Sequence, residues 1–520
     1  MCLICPSHSA LPKNRFPGLL PWNAFINAEH YFQSRLCSVE KSSTRGNSIE
    51  LWFGLVFNIA GTVALSIILG LRKRQERLIG FDSGQININS EDSDSSTVIE
   101  RNIAVSRHRE SHWNAVYLSL SIYLLVFLGT NALVLVPTVD KLVFVAITLV
   151  GIGLCGASMS VTGYGVTAVA AMFPSEVGIS SYVSGQAIGA LAVSVSNFFA
   201  VLAENPKKYW DEHCGQNSGD EDFKTIRECH SNEVDWATFI YFSFGSFFLM
   251  VCIISFYILD FHLSRDQNCE SDESLDLPPD IVCDMIESSN HDKLNTEENQ
   301  HVAAECPLED LIRPLISGEQ SLSHTNSSSH NDLIKTTAEV WSAIKSPSCA
   351  VFVTLFIATM IVPAWVTELT SVGHCQRRNR LQNDLFTPFL FVIFNAGDLI
   401  GRLIAGKMNT ERIKALSSKI LIASLARLFF LPLFLACTTT DKRIPFAITD
   451  DSYTITLLFV FALTNGMVLS IAFMQFPSLI PPLEGLQEVG SAIINFSLSL
   501  GLLFGSFASF LFIYVGTGHF

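Results

Sequence analysis

At 520 residues the chain is 49% hydrophobic and only 16% charged, with a mean hydropathy of +0.36, where soluble domains usually carry about a quarter charged residues. That balance is a poor fit to a soluble enzyme and points to an all-α polytopic membrane protein; the net charge of −15 argues against nucleic acid as a partner. The charge is concentrated, since residues 261–347 hold 17 acids and 5 bases.

A spanning helix needs about 20 mostly apolar residues. Ten such runs are read in chain order: 51–71, 116–137, 143–172, 178–203, 236–259, 348–368, 385–406, 417–437, 453–476 and 490–515. An eleventh, 16–35, mixes apolar residues with Asn23, Asn27, Glu29 and His30, and its local pattern fits an interfacial helix as well as a span. The preceding tail, 1–15, lacks the parts of a signal peptide. Three connections look long. Residues 72–113 open on Arg72-Lys73-Arg74-Gln75-Glu76-Arg77 and turn Ser/Asp-rich; 204–235 are acidic and hold Cys214 and Cys229; 261–347 read as a disordered acidic loop with few aromatics. The last divides the spans into a six-helix bundle over 16–260, its first helix poorly formed, and a five-helix bundle over 348–520. Lys/Arg counts give no orientation bias, but the Arg72–Arg77 cluster favours the cytosol. The loop 204–235 then faces outward, where a Cys214–Cys229 disulfide is a candidate. His213 and His230 flank these cysteines, with metal binding the weaker reading, and Cys155, Cys252 and Cys349 read as small core residues.

Charges inside spans are costly unless paired or wetted. In the run 385–406, Asp398 and Arg402 stand one helical turn apart, and Asn395 and Phe391 continue the same face. Such a face joins an acceptor, a bidentate donor, an amide and a ring. Two readings stand: a structural ion pair joining helices, or a grip on hydroxyl groups in an aqueous cavity. Gly397/Gly401, Gly185/Gly189 and Gly501/Gly505 read as close helix-packing steps. Arg427 lies within a span and needs an acid or carbonyl, with Glu368 one candidate for a gating or structural pair. Trp22 follows Pro21 in the weak first segment and offers either a stacking face or an interfacial anchor.

Taken together, LLPWNAFINAEHYF (19–32), YVSGQAIGA (182–190), FNAGDLIGRLIAG (394–406), LARLFFLPLFLAC (425–437) and FALTNGMVLS (461–470), with GSAIINFSLSLGLLFGSFASFLF (490–512), resemble the equilibrative nucleoside transporter family. The resemblance implies about eleven helices in a pseudo-symmetric six-plus-five, major-facilitator-like arrangement. It also implies facilitated nucleoside transport without ATP, at the plasma membrane; alternating access between the two bundles is the expected mechanism, and no cofactor is expected. It implies Leu19 and Trp22 at the base, Ile26 at a position linked to inhibitor sensitivity, and Asp398 and Arg402 at the ribose hydroxyls with Asn395 beside them. Gly163 stands where the family usually has a base-contacting glutamine, and Lys13, Asn14 and Arg15 interrupt the apolar approach to the first helix.

Two other classes stand beside it: a non-transporting membrane protein whose 261–347 loop binds cytosolic partners, and a same-fold carrier of nucleobases or other small polyols. An enzyme fits least, as no nucleophile elbow, metal motif or phosphate loop is present.

Overall fold

The computed structural model describes residues 24–26, 28, 31, 32, 35, 49–85, 94–136, 138–171, 173–203, 214, 234–273, 329–376, 379–416, 419–439, 443, 448–481 and 484–518. Described regular structure is helical apart from one isolated bridge, Leu369 with Thr439. The elements are α1 (Ile49–Gln85), α2 (Asp94–Leu135), α3 (Lys141–Ala171), α4 (Gly178–Ala203), α5 (Trp236–Glu273), α6 (Ser329–Ile361), α7 (Ala364–Glu368), α8 (Phe386–Gly406), α9 (Thr410–Ala415), α10 (Ile420–Ala426), α11 (Phe430–Leu435), α12 (Asp451–Leu479) and α13 (Glu484–Thr517).

Nine helices among the described residues are long and apolar enough to cross a membrane. Helices satisfy every backbone group internally, which lipid requires. A tenth apolar stretch, Ile420–Leu435, is divided into α10, a 3₁₀ turn at Arg427–Phe429, and α11. Pro432 supplies a local reason: it has no N–H to give to Leu428 and crowds that carbonyl, so the coil tightens there. α12 starts on Asp450, whose side chain accepts from Ser452 N at 2.9 Å, with Asp451 in the positive first turn.

The helices overrun the apolar stretches. α1 and α2 take in all of 72–113 except 86–93, so the long connection expected there is mostly helix. Residues 261–273 continue α5 and 329–347 open α6, which carries Pro347 inside it. The disordered reading of 261–347 is therefore corrected at both ends, while 274–328 lie outside the described residues. Polar residues extend a helix without extending its hydropathy signal, which is why both were read short.

The first segment is also corrected where it is described. Ala24, Phe25 and Ile26 are helical and buried, and Tyr31 and Phe32 are buried too. Phe25 meets the rings of Phe127 and Phe242, Phe32 meets Phe53, and Tyr241 Oη donates to Ala24 O at 3.2 Å. These residues sit in the protein interior, against the interfacial reading. Leu19 and Trp22 lie outside the described residues.

Two cores organise the packing. One gathers Phe25, Phe32, Phe53, Phe127, Phe144 and Phe242 of the N-terminal part together with Phe473 and Phe476 of α12; the other gathers Trp365, Phe386, Phe391, Phe434, Phe461 and Phe512 of the C-terminal part, and Ile26 joins the latter. α8 lies along α12 and also along α4, while α13 lies along α6 and against α1 and α3. Across the two parts, the contact therefore runs through α4/α8 and α1/α3/α13.

Candidate substrate site

α8 is strongly two-faced. Ile400, Leu403 and Ile404 are exposed to the apolar surroundings, whereas Phe391, Asn395, Asp398 and Arg402 form a buried stripe. Close contact with α12 permits this: a Cβ on Gly466 would collide with Asp398 O, and one on Gly401 with Leu463 O. Only residues without side chains let the backbones meet at that distance.

The polar stripe is fully engaged. Arg402 Nε donates to Asp398 Oδ2 at 2.7 Å, and Asp398 Oδ1 accepts from Asn465 Nδ2 at 2.8 Å. The other arm of Arg402 crosses to α4, donating to Val183 O at 2.9 Å and Gln186 Oε1 at 3.3 Å. Gln186 Nε2 donates to Tyr182 Oη at 2.8 Å, and Asn395 Nδ2 donates to Ser194 Oγ at 2.6 Å. Two charges, 4% and 2% exposed, are thus neutralised mutually and hydrogen-bonded, as low polarity demands.

Arg427 joins the same network from the other side. It donates to Phe461 O, Thr464 Oγ1 and Asn465 Oδ1 at 3.1–3.2 Å and stands 4.4 Å over the Phe461 ring. Of the acid or carbonyl that Arg427 needs, the carbonyl is Phe461 O, and an amide relay runs from Arg427 through Asn465 to Asp398; Glu368 stands at the end of α7.

Next to this network is a small cavity, with about 20 Å³ open to the centre of a water molecule, room for about one water. Asn58, Ser160, Gly163, Tyr182, Gln186, Asn495 and Ser499 are among its lining. Asp398 and Arg402 do not line it; Gln186 does, and so connects the ion pair to the cavity. The space that Gly163 leaves is bordered by Asn495 Oδ1 and Tyr182 Oη, at 3.2 and 3.5 Å from where a Cβ would stand. Asn58 Nδ2 donates to Ser506 Oγ at 2.7 Å, and the Ser160 and Ser499 hydroxyls are 3.5 Å apart, drawing α1 and α3 onto α13.

Phe391, Asn395, Asp398 and Arg402 are therefore brought together as the helical spacing predicts, and Ile26 packs in the same core as Phe391. Sequence reading missed Gln186, Asn465, Asn58 and Asn495. Each is an amide within an apolar run, a costly choice in its own right, and that was the available signal. The cysteine pairing is corrected: Cys214 is bonded to Cys375, 161 residues away, and Cys229 lies outside the described residues.

Long apolar helices in two halves, with buried charges clamped between them, define an integral membrane protein of major-facilitator-like fold. The proton:xylose symporter XylE of the major facilitator superfamily, bound to 6-bromo-6-deoxy-D-glucose, superposes with a TM-score of 0.52 over 96% of this chain and 89% of its own, at 9% identity. The family model described as nucleoside transporter matches residues 223–514, more than half of the chain, and the protein belongs to that family. The nucleoside transporter FUN26 of Saccharomyces cerevisiae is 30% identical over 168 residues, 31% of each chain. Equilibrative nucleoside transporter 2 of Homo sapiens is 31% identical over 153 residues, 29% of this chain and 31% of its own. The chain thus spans about a third of the length of the curated relatives it matches.

Proposed function

We propose that this chain carries nucleosides across a membrane, down their gradient, by alternating exposure of one site between its two helical parts. The observation that supports this most is the Asp398–Arg402 pair reaching across α8 and α4 onto Gln186, which borders the cavity. A carboxylate accepts from two neighbouring hydroxyls and a guanidinium donates along a plane, which suits the cis-diol of a ribose. When the two parts separate, Arg402 gives up Val183 and Gln186, and the freed donors are those a sugar takes over. Leu19, Trp22 and Ile26 are proposed at the base, with Asn495 and Tyr182 filling the space beside Gly163. The plasma membrane is the proposed location, and 261–347 a segment for cytosolic partners.

The test is uptake of labelled uridine and adenosine by uptake-null cells expressing the chain, with unlabelled uridine, adenosine, adenine and glucose as competitors. Saturable uptake displaced by both nucleosides and not by adenine or glucose is expected. Displacement by adenine alone would move the assignment to nucleobases, and surface protein without uptake would point to a non-transporting role.

A further inference from the structure

A second constellation lies where α4 ends and α8 begins, away from the cavity. There the Cys214–Cys375 disulfide joins the two parts of the chain. His374 Nε2 is 3.8 Å from Cys375 Sγ, and a nitrogen of His374 and the two sulfurs all lie within 4.8 Å of one another. All three residues are half-buried. On a tetrahedral zinc, with bonds of about 2.3 Å to sulfur and about 2.0–2.1 Å to nitrogen, neighbouring S and N ligands stand about 3.6 Å apart. His374 and Cys375 already have close to that spacing.

The scaffold does not depend on the S–S bond alone. Cys375 adopts φ 58°, in the left-handed region, a conformation that surrounding contacts must hold for a residue with a side chain. Asn383 provides one: its Oδ1 accepts from Cys375 N at 2.9 Å, while its Nδ2 donates to Asn379 O at 2.7 Å. Arg380, fixed by Asp384, donates to Leu202 O and Val201 O at the end of α4, both at 2.7 Å. The segment that carries His374 and Cys375 is therefore held to the end of α4 by hydrogen bonds independent of the sulfurs.

We propose that Cys214, Cys375 and His374 form a zinc site once a thiol reductant opens the disulfide. Two reductant thiols give up two electrons and two protons, leaving Cys214 and Cys375 as thiols and the reductant as its own disulfide. Zinc then displaces both thiol protons and takes His374 as third ligand, with the fourth position open to water. The sequence carries no zinc spacing because Cys214 and Cys375 stand 161 residues apart. The bound metal ties the two parts of the chain, whatever the cavity carries.

The experiment uses purified full-length protein in detergent, titrated with Cd²⁺ and followed by thiolate-to-cadmium ultraviolet absorbance, with Zn²⁺ as competitor. After phosphine reduction one equivalent is expected to bind tightly and be displaced by Zn²⁺; unreduced protein is expected to lack that band. His374→Ala retains the disulfide, checked by mass before reduction, and is expected to weaken binding about ten-fold or more. A Cys214→Ser/Cys375→Ser variant is expected to lose the tight equivalent altogether. Equal binding by reduced wild type and the double serine variant, or undiminished affinity in His374→Ala, would overturn the site.

Discussion

Asp398 serves two cations. One oxygen holds Arg402 directly and the other reaches Arg427 through Asn465. Neutralising it leaves two buried guanidinium groups without a counter-charge, a loss of about 3–5 kcal/mol by analogy with other broken buried pairs. Replacing Arg402 is milder, because Asp398 and Arg427 still balance; Val183 O and Gln186 Oε1 lose a donor at about 1 kcal/mol each. Asp398→Asn is therefore expected to lower the thermal midpoint of the purified protein more than Arg402→Met, while both abolish uptake. Equal midpoints would remove Arg427 from the charge balance. The one-turn spacing of Asp398, Arg402 and Asn395 was legible in the sequence because helical periodicity alone puts them on one face. Asn465 and Gln186 were not, because their importance depends on which helices α8 meets.

The contact between α8 and α12 sets the depth of that network, and it tolerates no added volume at Gly466. Gly466→Val is expected to push α12 off Asp398 O and carry Asn465 with it, at about 1–3 kcal/mol for overpacking. The readouts are a lower thermal midpoint and lost uptake, and wild-type values for both would show that the helices have room to spare. At this scale the spans were readable, since hydropathy over about 20 residues is a direct record of the lipid. The polar ends of α1, α2, α5 and α6 left no such record, and the burial of Phe25 and Phe32 depends in part on Phe127 and Phe144, more than a hundred residues away. The Cys214–Cys375 bond was misassigned for the same reason: chain proximity favoured Cys229, and only the meeting of α4 with α8 brings Cys375 near.

Across the whole molecule, the two parts meet along polar as well as apolar surface. Polar contacts can be exchanged for water or substrate at modest net cost, as the proposed alternating exposure would require. At one end Arg380 grips the last carbonyls of α4 and Cys214 is bonded to Cys375; elsewhere Asn58, Ser160 and Ser499 line the cavity where α1 and α3 meet α13. A cysteine placed at Ser499, buried here, is expected to react slowly with a membrane-impermeant thiol reagent. With the disulfide reduced, adding Arg380→Ala is expected to speed that reaction several-fold, as loss of about 1 kcal/mol from the closed arrangement would do, and excess nucleoside to slow it. An unchanged rate would show that the Arg380 contact does not hold this end shut.

The most direct measurement is labelled uridine flux into liposomes holding purified wild-type or Arg402→Met protein, with no ion gradient. Wild type is expected to bring inside and outside concentrations to equality at a saturable rate. The variant, folded but with a midpoint lowered less than that of Asp398→Asn, is expected to give no more flux than empty liposomes. An Arg402→Met protein with wild-type rate and KM would contradict the account, reducing the pair to a clamp between helices.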